Sequence, residues 1–152
     1  MKYNNPQQMV LTGKQTPQTV IFKSESHKLH QAFPVKKDAV IIQGQPVKLN
    51  TDGTIEAYFG EGVYLGIATT NSINPAYPEY NGSYEVTVMV EAFALVYGVS
   101  EAGFEAGPVA PSKLDDDSQY VTYKGDGAEA HPKFIALSKT EEAGELVQIL
   151  VR

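Results

Sequence analysis

The sequence predicts an all-β fold, a compact β-barrel or β-sandwich with an extended N-terminal arm. Three observations predict it. Thirteen Gly and nine Pro are spread through 152 residues with no low-complexity run, and so many turn formers in a short chain divide it into short strands. Apolar residues do not recur for long at i, i+3, i+4 and i+7, so no helix longer than about two turns is expected. Turn signals return every 8–12 residues or so, which leaves room for roughly eight to ten strands.

The first 35 residues differ from the rest. They carry four Lys (2, 14, 23 and 28) against Glu25, whereas residues 36–152 carry eight Lys or Arg against seventeen Asp or Glu. They are rich in Gln, Asn, Thr and Pro, and their only apolar runs are Met9, Val10, Leu11 and Val20, Ile21, Phe22. That is too little apolar surface for a core of its own. Residues 1–35 therefore read as an extended arm that orders against another surface, and 36–152 as the body. The Val20, Ile21, Phe22 piece has a second reading, as the first strand of the body.

Within the body, Val40, Ile41 and Ile42 read as a strand ahead of Gly44 and Pro46, and Val47, Lys48 and Leu49 as the next. Asp52-Gly53 supplies the positive φ of a tight hairpin, with residues 54–58 returning. In 63–69, Val63, Leu65 and Ile67 alternate with Tyr64, Gly66 and Ala68. Residues 71–83 form a loop around Asn74-Pro75, Pro78 and Asn81-Gly82.

Residues 84–97 are the most informative. Their even positions are Tyr, Val, Val, Val, Ala, Ala, Val, and positions 85, 87, 89 and 91 are Glu, Thr, Met, Glu. This period of two marks a half-buried strand. Phe93, Leu95 and Tyr97 turn the polar face apolar, so that face is expected to be covered by the arm or by another subunit. So long a strand is expected to bulge or break near Ala92. Beyond it come turns at Gly103 and Gly107-Pro108, a short Val109-Ala110 stretch, and an acidic loop at Asp115, Asp116 and Asp117. Tyr120 to Tyr123 reads as a strand, Gly125-Asp126-Gly127 as a turn and 133–137 as a strand. Residues 140–144 turn again, and 146–151 close the chain as a strand.

Several function classes are excluded. The chain has no apolar run of about 18 residues to form a transmembrane helix. The polar residues 1–10 lack the apolar core of a signal peptide. Without Cys there is no disulfide framework, thiolate nucleophile or Cys-based zinc site. A formal charge of −6 argues against a general nucleic-acid binder.

The candidate chemical motifs are weak. His27 and His30 have metal-ligand spacing but no acidic partner nearby except Glu25. Asp115 to Asp117 lack the spacing of a calcium loop. Glu85 and Glu91 are six residues apart on one strand, about 20 Å, too far for a carboxylate pair acting on one bond. Gly103 and Gly107 frame no phosphate loop, and no nucleophile elbow occurs. A trimeric all-β nucleotide hydrolase of this length would carry a Gly- and Asp-containing motif and a Gly-rich C-terminal arm, and neither is present. No catalysis, cofactor or metal is expected.

The order of several short motifs resembles a known family. They are Gly44-Gln45-Pro46-Val47-Lys48-Leu49, then Asp52-Gly53-Thr54-Ile55, then Gly62-Val63-Tyr64-Leu65-Gly66-Ile67-Ala68. The long strand from Tyr84 follows, then Gly107-Pro108-Val109, and Ala143-Gly144-Glu145-Leu146-Val147-Gln148-Ile149-Leu150-Val151 at the end. Over residues 40–152 this is similar to the structural cement, or head decoration, proteins of tailed bacteriophages. The long arm and the tyrosine-rich loop at 71–84 depart from that pattern. The resemblance implies a virion protein on the capsid surface, present in the host cytoplasm during assembly. It would bridge major capsid subunits, self-associate as a trimer, and contact a head fibre protein. The capsid or subunit interface candidates are Val20, Ile21, Phe22, Phe93, Leu95 and Tyr97. The alternative is a carbohydrate- or receptor-binding β module with Tyr77, Tyr80 and Tyr84 as its stacking platform.

Overall fold

The computed structural model describes residues 21–24 (backbone alone), 29–72, 85–91, 93–116, 118, 120–125 and 131–152. The described residues form twelve short strands and no helix. β1 (Ile21–Ser24), β7 (Ala94–Val99), β12 (Leu146–Val151), β11 (Phe134–Ala136) and β8 (Gly107–Pro108) make one antiparallel sheet, in the order β1-β7-β12-β11-β8. β2 (His30–Pro34), β6 (Glu85–Val90), β5 (Val63–Ala68), β3 (Pro46–Leu49) and β4 (Ile55–Ala57) make a second, in the order β2-β6-β5-β3-β4. β9 (Ala110–Ser112) and β10 (Thr122–Lys124) pair as a small third sheet. Both large sheets are open at their edges, so the architecture is a sandwich and not a closed barrel.

The main core lies between the two large sheets. Ala94, Val96, Val147, Ile149, Val151, Phe134 and Ala136 enter it from the first sheet, and Ala57, Ile67 and Met89 from the second. Phe104, Val109 and Val121 fill it from the connections, and Tyr123 from β10. The second sheet is also covered on its other face. There Ile41, Val47, Ile55, Ala68, Val86 and Val88 form a second cluster, with Phe33, Val35, Leu49, Leu65 and Val90 against it.

This double covering corrects two expectations about alternation. Met89, placed by its odd position on the polar face, is buried and enters the main core while Val86 and Val88 enter the other. In β5 the strict alternation is broken. The register against β3 jumps from Val47↔Gly66 to Lys48↔Tyr64, so Leu65 is the extra residue of a bulge. Tyr64 and Ile67 consequently pack on one side, and Leu65 and Ala68 on the other.

Two expected strands are not strands along their whole length. Val40, Ile41 and Ile42 form no ladder, although Ile41 and Ile42 are buried. The backbone there is bonded by a neighbouring loop instead. Ile41 N donates to Ser72 Oγ at 2.7 Å, Ser72 N to Ile41 O at 2.8 Å, and Gln43 N to Asn71 Oδ1 at 2.7 Å. These bonds satisfy buried main-chain groups without a partner strand. Tyr120 and Val121 are likewise buried but precede β10.

The Asp52-Gly53 hairpin joins β3 to β4, with Gly53 at φ 85°. Asp52 Oδ1 accepts from Thr54 N at 3.0 Å and Thr54 Oγ1 at 2.6 Å. The long strand breaks after Val90, where Glu91 takes φ 51° and the chain passes from β6 in one sheet to β7 in the other. Glu91 N donates to Leu65 O at 3.0 Å, and its carboxylate pairs with Lys133 Nζ at 2.9 Å. The corner is thus tied to both sheets.

The described part of the arm follows this corner. β2 pairs antiparallel with β6 from Pro34↔Glu85 to His30↔Met89, and Val90 N extends the pairing to Leu29 O at 2.9 Å. β1 then pairs with β7 from Ser24↔Ala94 to Ile21↔Val96. β1 and β2 therefore lie beside the broken strand, each as the outermost strand of one large sheet.

Candidate interaction surface

The first sheet has one face in the core and one face outside, and alternation assigns its residues. Ala94, Val96, Val147, Ile149, Val151, Phe134 and Ala136 point inward and are buried. The partners in register on the outer face form rows across the strands. One row reads Pro108, Ile135, Leu150, Leu95, with Lys23 backbone-paired to Leu95 at its end. The next reads Leu137, Gln148, Tyr97, held by Leu137 N donating to Gln148 O at 3.0 Å. On the other side, Lys133 O accepts from Arg152 N at 3.0 Å, beside Phe93, which precedes Ala94.

Phe93 is 46% exposed and Leu137 47% exposed. Ile135, Leu150, Leu95 and Tyr97 are half-buried. An ordinary solvent-facing sheet places polar side chains on such rows. Here the rows are apolar, with Lys133 and Arg152 along one margin and Gln148 inside. Contiguous apolar patches of this kind mark protein-interaction surfaces.

Three sequence candidates, Phe93, Leu95 and Tyr97, thus meet on one outer face. Ile21 and Phe22 lie in β1, which extends the sheet at its edge through backbone pairing with β7. Val20, Tyr77, Tyr80 and Tyr84 lie outside the described residues, as does His27. Pro108, Ile135, Leu137 and Leu150 were not singled out from the sequence. Each looks like an ordinary strand residue until register places it beside Leu95. Their signal was the outward position of an apolar residue in a short terminal strand.

Other candidates are scattered. His30 is exposed on β2, and Asp115 and Asp116 are exposed in their loop, with Asp117 outside the described residues. No three His, Asp or Glu side chains approach closely enough to hold a metal among the described residues. Glu91 is engaged with Lys133, and Glu85 begins β6.

Under the same corner lies an aromatic cluster. The Tyr64 ring stands 5.4 Å from Tyr58, 5.5 Å from Phe134 and 6.1 Å from His131, with Lys133 Nζ over it at 5.9 Å. Burial, with Tyr123, Glu91 and Tyr58 nearby, holds the Tyr64 phenol well above its ordinary value. Burial does the same to Tyr123. Neither hydroxyl has a hydrogen-bond partner among the described residues. Both phenols stay protonated and suit packing better than proton transfer. His131 accepts from Lys133 N at Nδ1, 3.2 Å, and burial and the Lys133 charge push its pKa down.

No protein-family model matches the chain, and a search of curated proteins finds no match either.

Proposed function

We propose that this chain is a structural binding protein of a tailed-phage shell, seated on the outer capsid surface and bridging major capsid subunits. The observation that carries the reading is the apolar outer face of the first sheet, centred on Leu95, Leu150 and Ile135 with Phe93 and Leu137 most exposed. A cement protein needs a compact body and a wide docking surface rather than a catalytic cleft. The sandwich of two five-stranded sheets supplies the body, and the apolar rows supply a surface whose burial stabilises attachment by roughly 25 cal/mol per Å² of apolar area. Three copies on a shell symmetry axis can each present the same patch. The order of motifs along 40–152 supports the same assignment. No catalytic step, cofactor or metal belongs to this reading.

The test is co-sedimentation with capsids stripped of this protein. Wild type is expected to pellet with the shells. A Phe93→Asp/Leu137→Asp variant should fold normally, because both side chains are already about half exposed, yet stay in the supernatant. Equal pelleting of the two would remove the outer face from the docking surface, and no pelleting of either would remove the shell reading.

A further inference from the structure

The described part of the arm, β1 and β2, is held to the body in an unusual way. It lies in antiparallel register with β6 and β7, β2 along β6 and β1 along β7, so it forms one edge of each large sheet. Its side chains contribute little where they are described. His30, Gln31, Ala32 and Pro34 are exposed, and only Phe33 is half-buried, against the second cluster. Attachment of β2 therefore rests on main-chain hydrogen bonds and one aromatic plug.

The root of the segment is anchored differently. Val35 bridges to Ile55, Lys36 N donates to Ile55 O at 3.0 Å, and Lys36 Nζ pairs with Glu56 at 3.1 Å. Burial pushes the Glu56 carboxyl up, but Lys36, Asn50 and Lys48 outweigh it and hold its pKa below the ordinary value. The body thus grips the chain from Val35 onward and holds β2 by its ladder and Phe33 alone. Fourteen extended residues reach about 45 Å, far enough to lie along the same edge of an adjacent molecule.

We propose that residues 21–34 exchange between copies of this chain, each arm leaving its own body at Pro34 and pairing with the 85–99 edge of a second copy. The edge that receives the arm is built entirely by body residues. The exchanged pairing therefore repeats every backbone bond and the Phe33 contact of the closed form. Because the bonds are conserved, concentration decides between the two states, and copies crowded on a surface favour the exchanged one. The inference concerns association between copies and does not depend on the shell reading.

The absence of cysteine in the chain makes the test direct. Ala32 faces Thr87 in register. Thr87 N donates to Thr70 Oγ1 and Thr87 O accepts from Thr69 N, both away from β2, so Ala32↔Thr87 is the closer, non-hydrogen-bonded kind of pair. Full-length Ala32→Cys and Thr87→Cys proteins are mixed at high concentration, oxidised and separated without reductant. Exchange predicts a covalent heterodimer several-fold more abundant than that from an Ala32→Cys and Asp52→Cys control mixture. The Ala32→Cys/Thr87→Cys double variant, oxidised when dilute, should cross-link within one chain. It should then remain monomeric by light scattering at concentrations where its reduced form associates. Heterodimer at the control level overturns the proposal, as does association of the locked variant equal to that of the reduced one. Failure of the double variant to cross-link within its own chain would overturn the pairing on which it stands.

Discussion

At Gly98 the fold depends on the absence of a side chain. A Cβ there would lie 2.6 Å from Tyr123 Cδ2 and 2.9 Å from Ile149 Cγ1, in the middle of the main core. Gly98→Ala is therefore expected to cost about 1–3 kcal/mol by overpacking, measured by urea denaturation. Tyr123→Phe should behave oppositely. Its hydroxyl is buried without a partner among the described residues, so removing it should leave stability unchanged or raise it. A clear loss in Tyr123→Phe would mean that the hydroxyl is bonded. His131 gives a pH signature. Its folded pKa is depressed, so the unfolded chain binds the proton more readily and stability is fully present above the ordinary value of 6.5. It is lost as pH falls from there through the lower folded value, and protonation also removes Nδ1 as acceptor for Lys133 N. Stability should decline on acidification in that window, and His131→Phe should flatten the decline. An unaltered slope in that variant would assign the effect elsewhere.

At the scale of elements, the strands most legible in the sequence were those with a strong apolar run or a strong turn. Leu146–Val151 was readable from its run of Leu, Val and Ile and the Asp52-Gly53 hairpin from its turn chemistry. The break near Ala92 followed from strand length, and Glu91 at positive φ is how the chain makes it. Met89 and Leu65 were illegible because their positions depend on a sheet covered twice and on a bulge, neither of which is a local property. Ile41 was readable as buried but not as irregular, since its hydrogen bonds come from Ser72, 31 residues away. The outer face was half legible. Phe93, Leu95 and Tyr97 announce a change along one strand, but only pairing brings Leu150 and Ile135 beside them. At the corner, Glu91→Ala should cost under about 1 kcal/mol, because its ion pair with Lys133 is largely solvent-exposed. Phe93→Asp should cost little more in the isolated protein. A loss of several kcal/mol for Phe93→Asp in thermal melts would place that ring in the folded core and not on a docking face.

At the scale of the whole molecule, the arm decides which strands stand at one edge of each large sheet. Deleting residues 1–34 would uncover the backbone donors and acceptors of β6 and β7 facing β2 and β1. It would also empty the place of Phe33 in the second cluster. The clusters themselves would remain, since apart from Phe33 their members lie at or beyond Val35. The shortened chain is therefore expected to melt cooperatively at a lower temperature. Phe33 alone accounts for a loss on the order of 1–2 kcal/mol, since its side chain is only half-buried. The open edges should also make it self-associate. A synthetic peptide spanning 21–34, added in trans, can restore both the strand pairing and the aromatic plug. It should raise the melting temperature with concentration, as any ligand that binds only the native state does, and suppress association. A Phe33→Ala peptide should do so more weakly, because it restores the ladder without the plug. If neither peptide shifts the melt while the shortened body still folds, residues 21–34 are not a separable edge strand. Cooperative loss of the whole fold on deletion would instead make them an integral part of the sandwich.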